Sequence, residues 1–253
     1  MSGEGLSIAK ALGQEKLNIV LADIDKDNLL KASKELQQSG VPVLAVELDV
    51  SEESQRHDLA RKAVERFDKI HMVVNNAGIS VETDRLEKQE SDGWLWTLNV
   101  NLMGGASFGG AYTATKMSVV GLSESWATEF KRDGISVSVL CPAFVQTRIH
   151  ESNRNRPSNN PAETSISKDD VRQDNTRTLV ENGMEVSNIG KQVVEALKLG
   201  EFYIFTHPNY REVIQARSKA IDQAFERAAK SPLLQHMVNQ SIDRLSIAYF
   251  FVF

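Results

Sequence analysis

The alternation of helical and strand-like segments between residues 8 and 74 constrains the fold of this chain more than any other feature. Three short apolar runs have the pattern of buried parallel strands: Leu17–Ala22, Val41–Val50 and His71–Val74. Amphipathic helices precede or separate them, over Ile8–Leu12, Asp27–Gln38 and Glu52–Phe67. Successive units of this kind predict an α/β fold, a doubly wound parallel sheet with helices on both faces.

The rest of the chain continues as helices and short strands around one long loop. Helices are predicted over Trp94–Met103 and Ala111–Lys131 with no strand between them, and a strand over Ile135–Leu140 stops at Pro142. Residues 146–185 are polar and predict a long loop with at most one short helix, of a kind that caps a site or is disordered. A helix, a last strand and a charged helix follow, over Val186–Leu199, Phe202–Phe205 and Tyr210–Lys230. We expect one α/β domain over residues 1–230 and a tail over 231–253.

Charge, cysteine and histidine content narrow the class of protein. A net charge of -5 gives no overall attraction to nucleic acid or anionic lipid, so neither partner is expected. Cys141 is the only cysteine, which excludes an intrachain disulfide and favours a reducing, cytoplasmic setting. No signal peptide or membrane-spanning run is evident. No metal is expected, because the histidines match no metal-binding spacing and are interpreted as surface or packing residues: His57, His71, His150, His207 and His236.

Two glycines precede the first helix and an acidic residue ends the first predicted strand. Gly3 and Gly5 would let the backbone approach a pyrophosphate, whose charge a helix N-terminus stabilises. Asp23 lies 18 residues after Gly5, at a distance suited to an acid that accepts hydrogen bonds from a ribose. Taken alone, a Gly-x-Gly near an N-terminus is more often a flexible chain end.

Four further motifs occur in a fixed order and change this interpretation. They are Asn75-Asn76-Ala77-Gly78, Asn101, Tyr112-Thr113-Ala114-Thr115-Lys116 and Pro142-Ala143-Phe144-Val145-Gln146-Thr147. The set resembles the NNAG turn, catalytic asparagine, YxxxK pair and PGxxxT segment of the short-chain dehydrogenase/reductase family. Tyr112 and Lys116 lie four residues apart on one predicted helix face, where an ammonium favours the phenolate of a tyrosine whose unperturbed pKa is about 10.

The resemblance implies a role for each of these residues. Tyr112 would be the acid/base and would contact the cofactor, Lys116 would also hold the nicotinamide ribose, and Asn101 would position a water molecule. The fold would be Rossmann-like, and residues 146–185 would form the substrate loop. Asp23 would select NAD over NADP, because its charge repels a 2′-phosphate. The remaining residues implied in cofactor binding are Gly3, Gly5, Asp49, Val50, Asn76, Ala77, Gly78, Pro142, Val145 and Thr147. The resemblance also implies a homodimer or homotetramer.

The chain departs from the family pattern in two stretches. The family's first strand and the first glycine of its TGxxxGxG turn have no counterpart before Gly3. Only ten residues separate Asn101 from Tyr112, where the family has a fifth strand and a catalytic serine; Ser107 is a loop residue rather than a substitute. Both strands are central in the family's sheet, and their loss leaves rows of unpaired backbone groups. Ala143 also replaces the glycine of PGxxxT.

Three interpretations of the function follow from this pattern. The first is an NAD-dependent enzyme that interconverts a secondary alcohol and a ketone by hydride transfer. The second is a non-enzymatic relative that binds a partner, suggested by the missing serine and glycine. The third is a fragment without function.

Overall fold

The computed structural model describes residues 3–79, 100, 110–149 and 177–240. The first half contains α1 (Glu4–Gln14), β1 (Ile19–Asp23), α2 (Lys26–Gln38), β2 (Val43–Glu47) and α3 (Glu53–Phe67). The two strands pair in parallel, with Ile19 opposite Val43 and Asp23 opposite Glu47. Parallel neighbours joined through a helix are the connection that the alternating pattern predicts.

The second half contains α4 (Gly110–Glu129), β3 (Val139–Cys141), α5 (Val186–Leu199), β4 (Tyr203–Phe205) and α6 (Arg211–Ala229). Short 3-10 turns follow α4, β4 and α6, at Phe130–Asp133, Pro208–Tyr210 and Gln235–Met237. β3 and β4 form a second parallel pair, with Val139 opposite Tyr203 and Cys141 opposite Phe205.

A buried apolar core joins parts of both halves. Its side chains come from α1, β1, α2, the turn before β2, the segment after β3, and α5: Ile8, Ala9, Leu12, Ile19, Leu21, Leu29, Ala32, Leu36, Val41, Val145, Ile189 and Val193. The backbones of α1 and α5 approach closely where Gly190 N–H donates to the Ser7 hydroxyl at 3.0 Å. A side chain at position 190 would place its Cβ 2.3 Å from the Ser7 carbonyl oxygen, so only glycine allows this packing.

The predicted strand His71–Val74 is wrong for this structure, because the segment has no regular secondary structure and forms no ladder with any described strand. Its apolar side chains face solvent: Met72 is 39%, Val73 72% and Val74 45% exposed. A strand needs a hydrogen-bonded neighbour, and neither described pair of strands supplies one here.

The other predicted elements that fall within the described residues are confirmed, with strand bounds one to four residues shorter at some ends. The helix predicted over Trp94–Met103 lies outside the described residues except at Val100, which is helical. Residues 144–146 pair with Met184 through two backbone hydrogen bonds of 2.9 Å, which joins the two ends of the predicted loop over 146–185. Among the described helices, none is both long enough and apolar enough to cross a bilayer.

Candidate active site

The N-terminus of α1 brings together four of the residues predicted to bind a cofactor. Gly3 has a positive φ of 71°, and a Cβ there would lie 3.3 Å from Thr147 Cγ2. A Cβ on Gly5 would lie 2.6 Å from the Asn76 amide nitrogen. The positive φ favours glycine at position 3, and a side chain at position 5 would have to displace the Asn76 amide, so Asn76 and Thr147 flank the start of the helix.

This helix end fits an anionic group. The N–H groups of Glu4, Gly5 and Leu6 donate to no acceptor among the described residues, as expected for a first helical turn. Such N–H groups and the helix dipole stabilise a phosphate. The pyrophosphate of a dinucleotide therefore fits here, with one feature that opposes its charge.

That feature is the carboxylate of Glu4, between the two glycines. Burial raises the pKa of Glu4, and the positive charge of Lys116 acts in the opposite direction. The Lys116 side chain keeps solvent-exposed surface, yet protein atoms surround its ammonium. This desolvation lowers the pKa of Lys116, while the electrostatic interactions with Glu4 and Cys141 act to raise it. Burial likewise raises the pKa of the Cys141 thiol. Glu4, Lys116 and Cys141 thus form one electrostatically coupled group that joins α1, α4 and the end of β3.

Tyr112 lies on α4 one helical turn before Lys116, as the sequence predicts, and its side chain lies outside the described part of the structure. Asn101 and Ser107 also lie outside the described residues. Their roles stay predictions.

Asp23 and Asp49 lie together at the carboxyl ends of β1 and β2, where Leu48 N–H donates to the Asp23 carbonyl at 3.1 Å. Asp23 Oδ1 accepts from Asp25 N–H at 2.9 Å. Asp49 Oδ1 accepts from the N–H and hydroxyl of Ser51, at 2.8 and 2.7 Å. The Val50 carbonyl accepts from Arg56 at 2.6 Å. Both carboxylates are thereby held in fixed orientations.

The other predicted residues are near this edge but differ in exposure. Ala77 and Gly78 follow Asn76 in an irregular, half-buried segment, and Pro142 directly follows β3. Val145 is only 4% exposed and packs into the core, so its backbone rather than its side chain is available to a ligand.

Sequence reasoning missed two residues at this edge. The sequence prediction did not include Glu4, although its position between the two glycines was a signal that could have placed it at this site. His207 was assigned to packing or surface, but its Nδ1 lies 3.3 Å from Ala143 N, beside the Pro142–Thr147 segment. Within the described ranges, no cluster of three or more His, Cys, Asp or Glu side chains could hold a metal ion.

Comparison with known proteins defines the class. The family model described as short chain dehydrogenase matches residues 1–108 and 104–158, which is more than half of the chain. The chain therefore belongs to the short-chain dehydrogenase/reductase family of NAD(P)-dependent oxidoreductases. The predicted Rossmann-like α/β fold is confirmed by the solved structures that the chain resembles.

Three similar proteins illustrate the range of the family. The "CLA biosynthesis dehydrogenase/reductase" of Lactiplantibacillus plantarum is 28% identical over 256 residues, covering 87% of this chain and 89% of the relative. A diacetyl reductase of Staphylococcus epidermidis is 30% identical over 177 residues, covering 58% of this chain and 69% of the relative. A short-chain dehydrogenase/reductase of Burkholderia phymatum, solved with NAD, is 28% identical with a TM-score of 0.82, covering 88% of this chain and 91% of that one.

The comparisons also locate an internal difference from the family. The two segments matched by the family model meet within residues 104–108, inside the short joint between Asn101 and Tyr112. An alignment of 256 positions that uses 87% of a 253-residue chain leaves positions of the relative without a counterpart here. Less similar structures, at 24% and 19% identity, were solved with 5-hydroxy-NADP and NADPH and share the fold. Membership of the family defines an NAD(P) cofactor without a choice between its two forms.

Proposed function

We propose that this chain interconverts a secondary alcohol and a ketone, with NAD preferred to NADP. The observation that supports this most is the convergence of Gly3, Gly5, Asn76 and Thr147 at the N-terminus of α1. Lys116 is coupled electrostatically to the same helix end through Glu4. A bound nicotinamide cofactor supplies or accepts the hydride.

Tyr112 exchanges a proton with the substrate oxygen in this proposal. Lys116 lies one turn later on α4, where its ammonium favours the phenolate form of Tyr112. Asn101 positions a water molecule for the same proton. The cofactor is held by the α1 helix end and by residues of the two neighbouring segments: Asn76, Ala77, Gly78, Pro142, Val145 and Thr147.

The proposed chemistry is tested with Tyr112→Phe, which keeps the ring and removes the proton. We expect NADH-linked reduction of 2,3-butanedione to fall by about 10²-fold or more, in the range by which positioned proton donors accelerate reactions. NADH affinity, measured by fluorescence titration, should stay within about twofold because the α1 site is unchanged. Activity that survives the substitution would place the reaction elsewhere in the chain.

The preference for NAD rests on the charges at the ends of β1 and β2. Asp23 lies opposite Glu47 in the parallel ladder, so two carboxylates meet there. The nearby Lys26 ammonium pairs with Glu47 at 3.3 Å. A ribose 2′-hydroxyl can donate to a carboxylate at this point, whereas a 2′-phosphate meets net negative charge.

Asp23→Ala tests the preference. The unsubstituted chain should bind NADH more tightly than NADPH. In the alanine variant, the ratio of the NADPH dissociation constant to the NADH dissociation constant should be about tenfold smaller, which corresponds to roughly 1.4 kcal/mol. Asp222→Ala, with the same charge change on the exposed helix α6, is the control and should leave the ratio unchanged. Equal affinities in the unsubstituted chain would overturn the assignment of Asp23.

The same proposal includes a small-molecule substrate, a homodimer or homotetramer, and a reducing compartment such as the cytoplasm. The free thiol of Cys141 is consistent with that compartment. Analytical ultracentrifugation measures the oligomeric state directly.

A further inference from the structure

His207 occupies a fixed position directly after β4. Its Nδ1 lies 3.3 Å from the backbone nitrogen of Ala143 and 2.7 Å from the hydroxyl oxygen of Thr206. Thr206 is 6% exposed, and the His207 ring also meets the Tyr210 ring edge-to-face, with centroids 6.1 Å apart. Contacts on two sides therefore hold the imidazole in one orientation.

The hydrogen bonds also fix the tautomer of the ring. A backbone N–H can only donate, so the Ala143 N–H requires His207 Nδ1 to act as an acceptor. The neutral imidazole then carries its proton on Nε2, and the Thr206 hydroxyl is free to donate to Nδ1 as well. Among the described residues, none accepts a hydrogen bond from Nε2. His207 thus has one oriented N–H donor that no residue within the described ranges uses.

This donor lies at the edge where the candidate active site is built. β3 and β4 are parallel, so Pro142–Ala143 and Thr206–His207 leave the sheet at the same carboxyl edge. Open parallel sheets bind ligands at that edge. Cys141, two residues before Ala143, is coupled electrostatically to Lys116, and Thr147, four residues after it, meets Gly3.

We propose that His207 Nε2–H donates a hydrogen bond to the carbonyl or hydroxyl oxygen of the substrate. This inference rests on the proposed function and adds a substrate-positioning residue to it. The short joint between Asn101 and Tyr112 offers only Ser107 as a hydroxyl donor, and a neutral imidazole at the strand edge can supply the donor that the family's serine provides. Negative charge that develops on the substrate oxygen during reduction strengthens such a bond.

Two substitutions separate this role from packing. In His207→Asn the side-chain oxygen can replace Nδ1 as acceptor for Ala143 N–H, while the outward donor is lost. In His207→Gln the longer amide can place an N–H near the position of Nε2. Steady-state reduction of 2,3-butanedione by NADH, NADH affinity and thermal unfolding are measured for both variants, with Tyr112→Phe in parallel.

We expect His207→Asn to lose about 10²-fold in kcat/KM, the effect of removing one donor to a developing oxyanion, with little change in NADH affinity or Tm. His207→Gln should recover at least about tenfold of that loss. An unchanged kcat/KM in His207→Asn would overturn the role of His207. Losses of kcat/KM in both variants that run parallel to a fall in Tm would also overturn it. If Tyr112→Phe lowers kcat/KM and the His207 variants do not, the role of His207 is overturned while the proposed function stands.

Nitrogen NMR of the free protein gives a readout independent of turnover. Labelled histidine should show His207 with a proton on Nε2 and an unprotonated Nδ1. Addition of 2,3-butanedione to the NADH-saturated Tyr112→Phe variant should shift the Nε2–H resonance and leave that of His57, on the exposed face of α3, unchanged. A proton on Nδ1, or no shift of Nε2–H, would overturn the inference.

Discussion

Glu4 places a carboxylate where a dinucleotide is expected to place its pyrophosphate. Carboxylates near a helix N-terminus usually stabilise the folded state, because the helix dipole favours negative charge there. At Glu4 burial outweighs that effect and raises the pKa above the ordinary value of 4.5. A raised pKa means that the folded state binds the proton more tightly than the unfolded state does. The contribution to stability is therefore complete below about pH 4.5 and is lost as the pH rises through the folded-state pKa.

Glu4→Gln removes this titration and the charge conflict together. At pH 7 the variant should be more stable than the unsubstituted chain, and the difference in Tm should shrink as the pH falls toward 4.5. NADH should bind the variant up to about tenfold more tightly at pH 7, since one like charge is removed from the phosphate site. Binding to the unsubstituted chain should also take up protons, measured by titration calorimetry in buffers of different ionisation enthalpy.

Glu212 provides the matched control, because it is a carboxylate in the first turn of the exposed helix α6. Glu212→Gln should leave NADH affinity unchanged and should not raise Tm. Identical behaviour of the two glutamine variants would mean that net charge, rather than the position of Glu4, controls cofactor affinity.

Close contact of α1 with α5 is the packing on which the candidate cofactor site depends. The Gly190 N–H bonds the Ser7 hydroxyl at 3.0 Å, and a methyl group at position 190 would meet the Ser7 carbonyl oxygen at 2.3 Å. A clash with backbone is relieved only if one helix shifts. That shift would displace the start of α1 from Asn76 and Thr147.

Gly190→Ala should therefore destabilise the chain by about 1–3 kcal/mol, the usual cost of overpacking. For a chain of this size we expect Tm to fall by roughly 2–10 °C and NADH affinity to fall with it. Gly121→Ala on α4 is the control, since nothing lies within 4 Å of a Cβ there. That variant should gain about 0.5–1 kcal/mol from helix propensity. Equal effects of the two alanines in differential scanning calorimetry would contradict the close-packing argument.

Local pattern predicted the helices and the order of the motifs, but not all of the strands. The helix α5 was predicted with its observed bounds, because helical periodicity and the hydrogen bonds of a helix are both local. The predicted strand His71–Val74 failed because a strand depends on neighbours distant in sequence. The interactions of Glu4 and His207 could not be predicted from local pattern either, since their partners lie on other elements: Lys116 on α4 and Ala143 after β3.

At the scale of the whole molecule, the described strands form two separate parallel pairs, β1–β2 and β3–β4. The irregular segment over 71–74 leaves Val73 with 72% of its surface exposed. The break in the family match at 104–108 lies in the internal joint, and the alignment with the Lactiplantibacillus relative leaves residues of that relative without a counterpart in this chain. We infer that a strand inserted at this joint would find apolar surface and backbone groups at 71–74 ready to pair with it.

A chimera tests this inference, with the relative's segment inserted between Asn101 and Tyr112. Burial of one valine-sized side chain contributes about 1.5–3 kcal/mol, so cover over Met72, Val73 and Val74 together with new ladder hydrogen bonds should raise Tm by about 5 °C or more. A serine carried by the segment should also raise kcat/KM for 2,3-butanedione by about 10²-fold, the effect of one added donor to the substrate oxygen. A chimera with that serine changed to alanine separates the two effects, because it should keep the gain in Tm and lose most of the gain in kcat/KM. The loss of kcat/KM caused by His207→Asn should be larger in this alanine chimera than in the serine-containing chimera. If the chimera matched the original chain in both Tm and turnover, the exposed segment at 71–74 would not be a vacant pairing site, and the shortened joint would carry no cost to the fold or the chemistry.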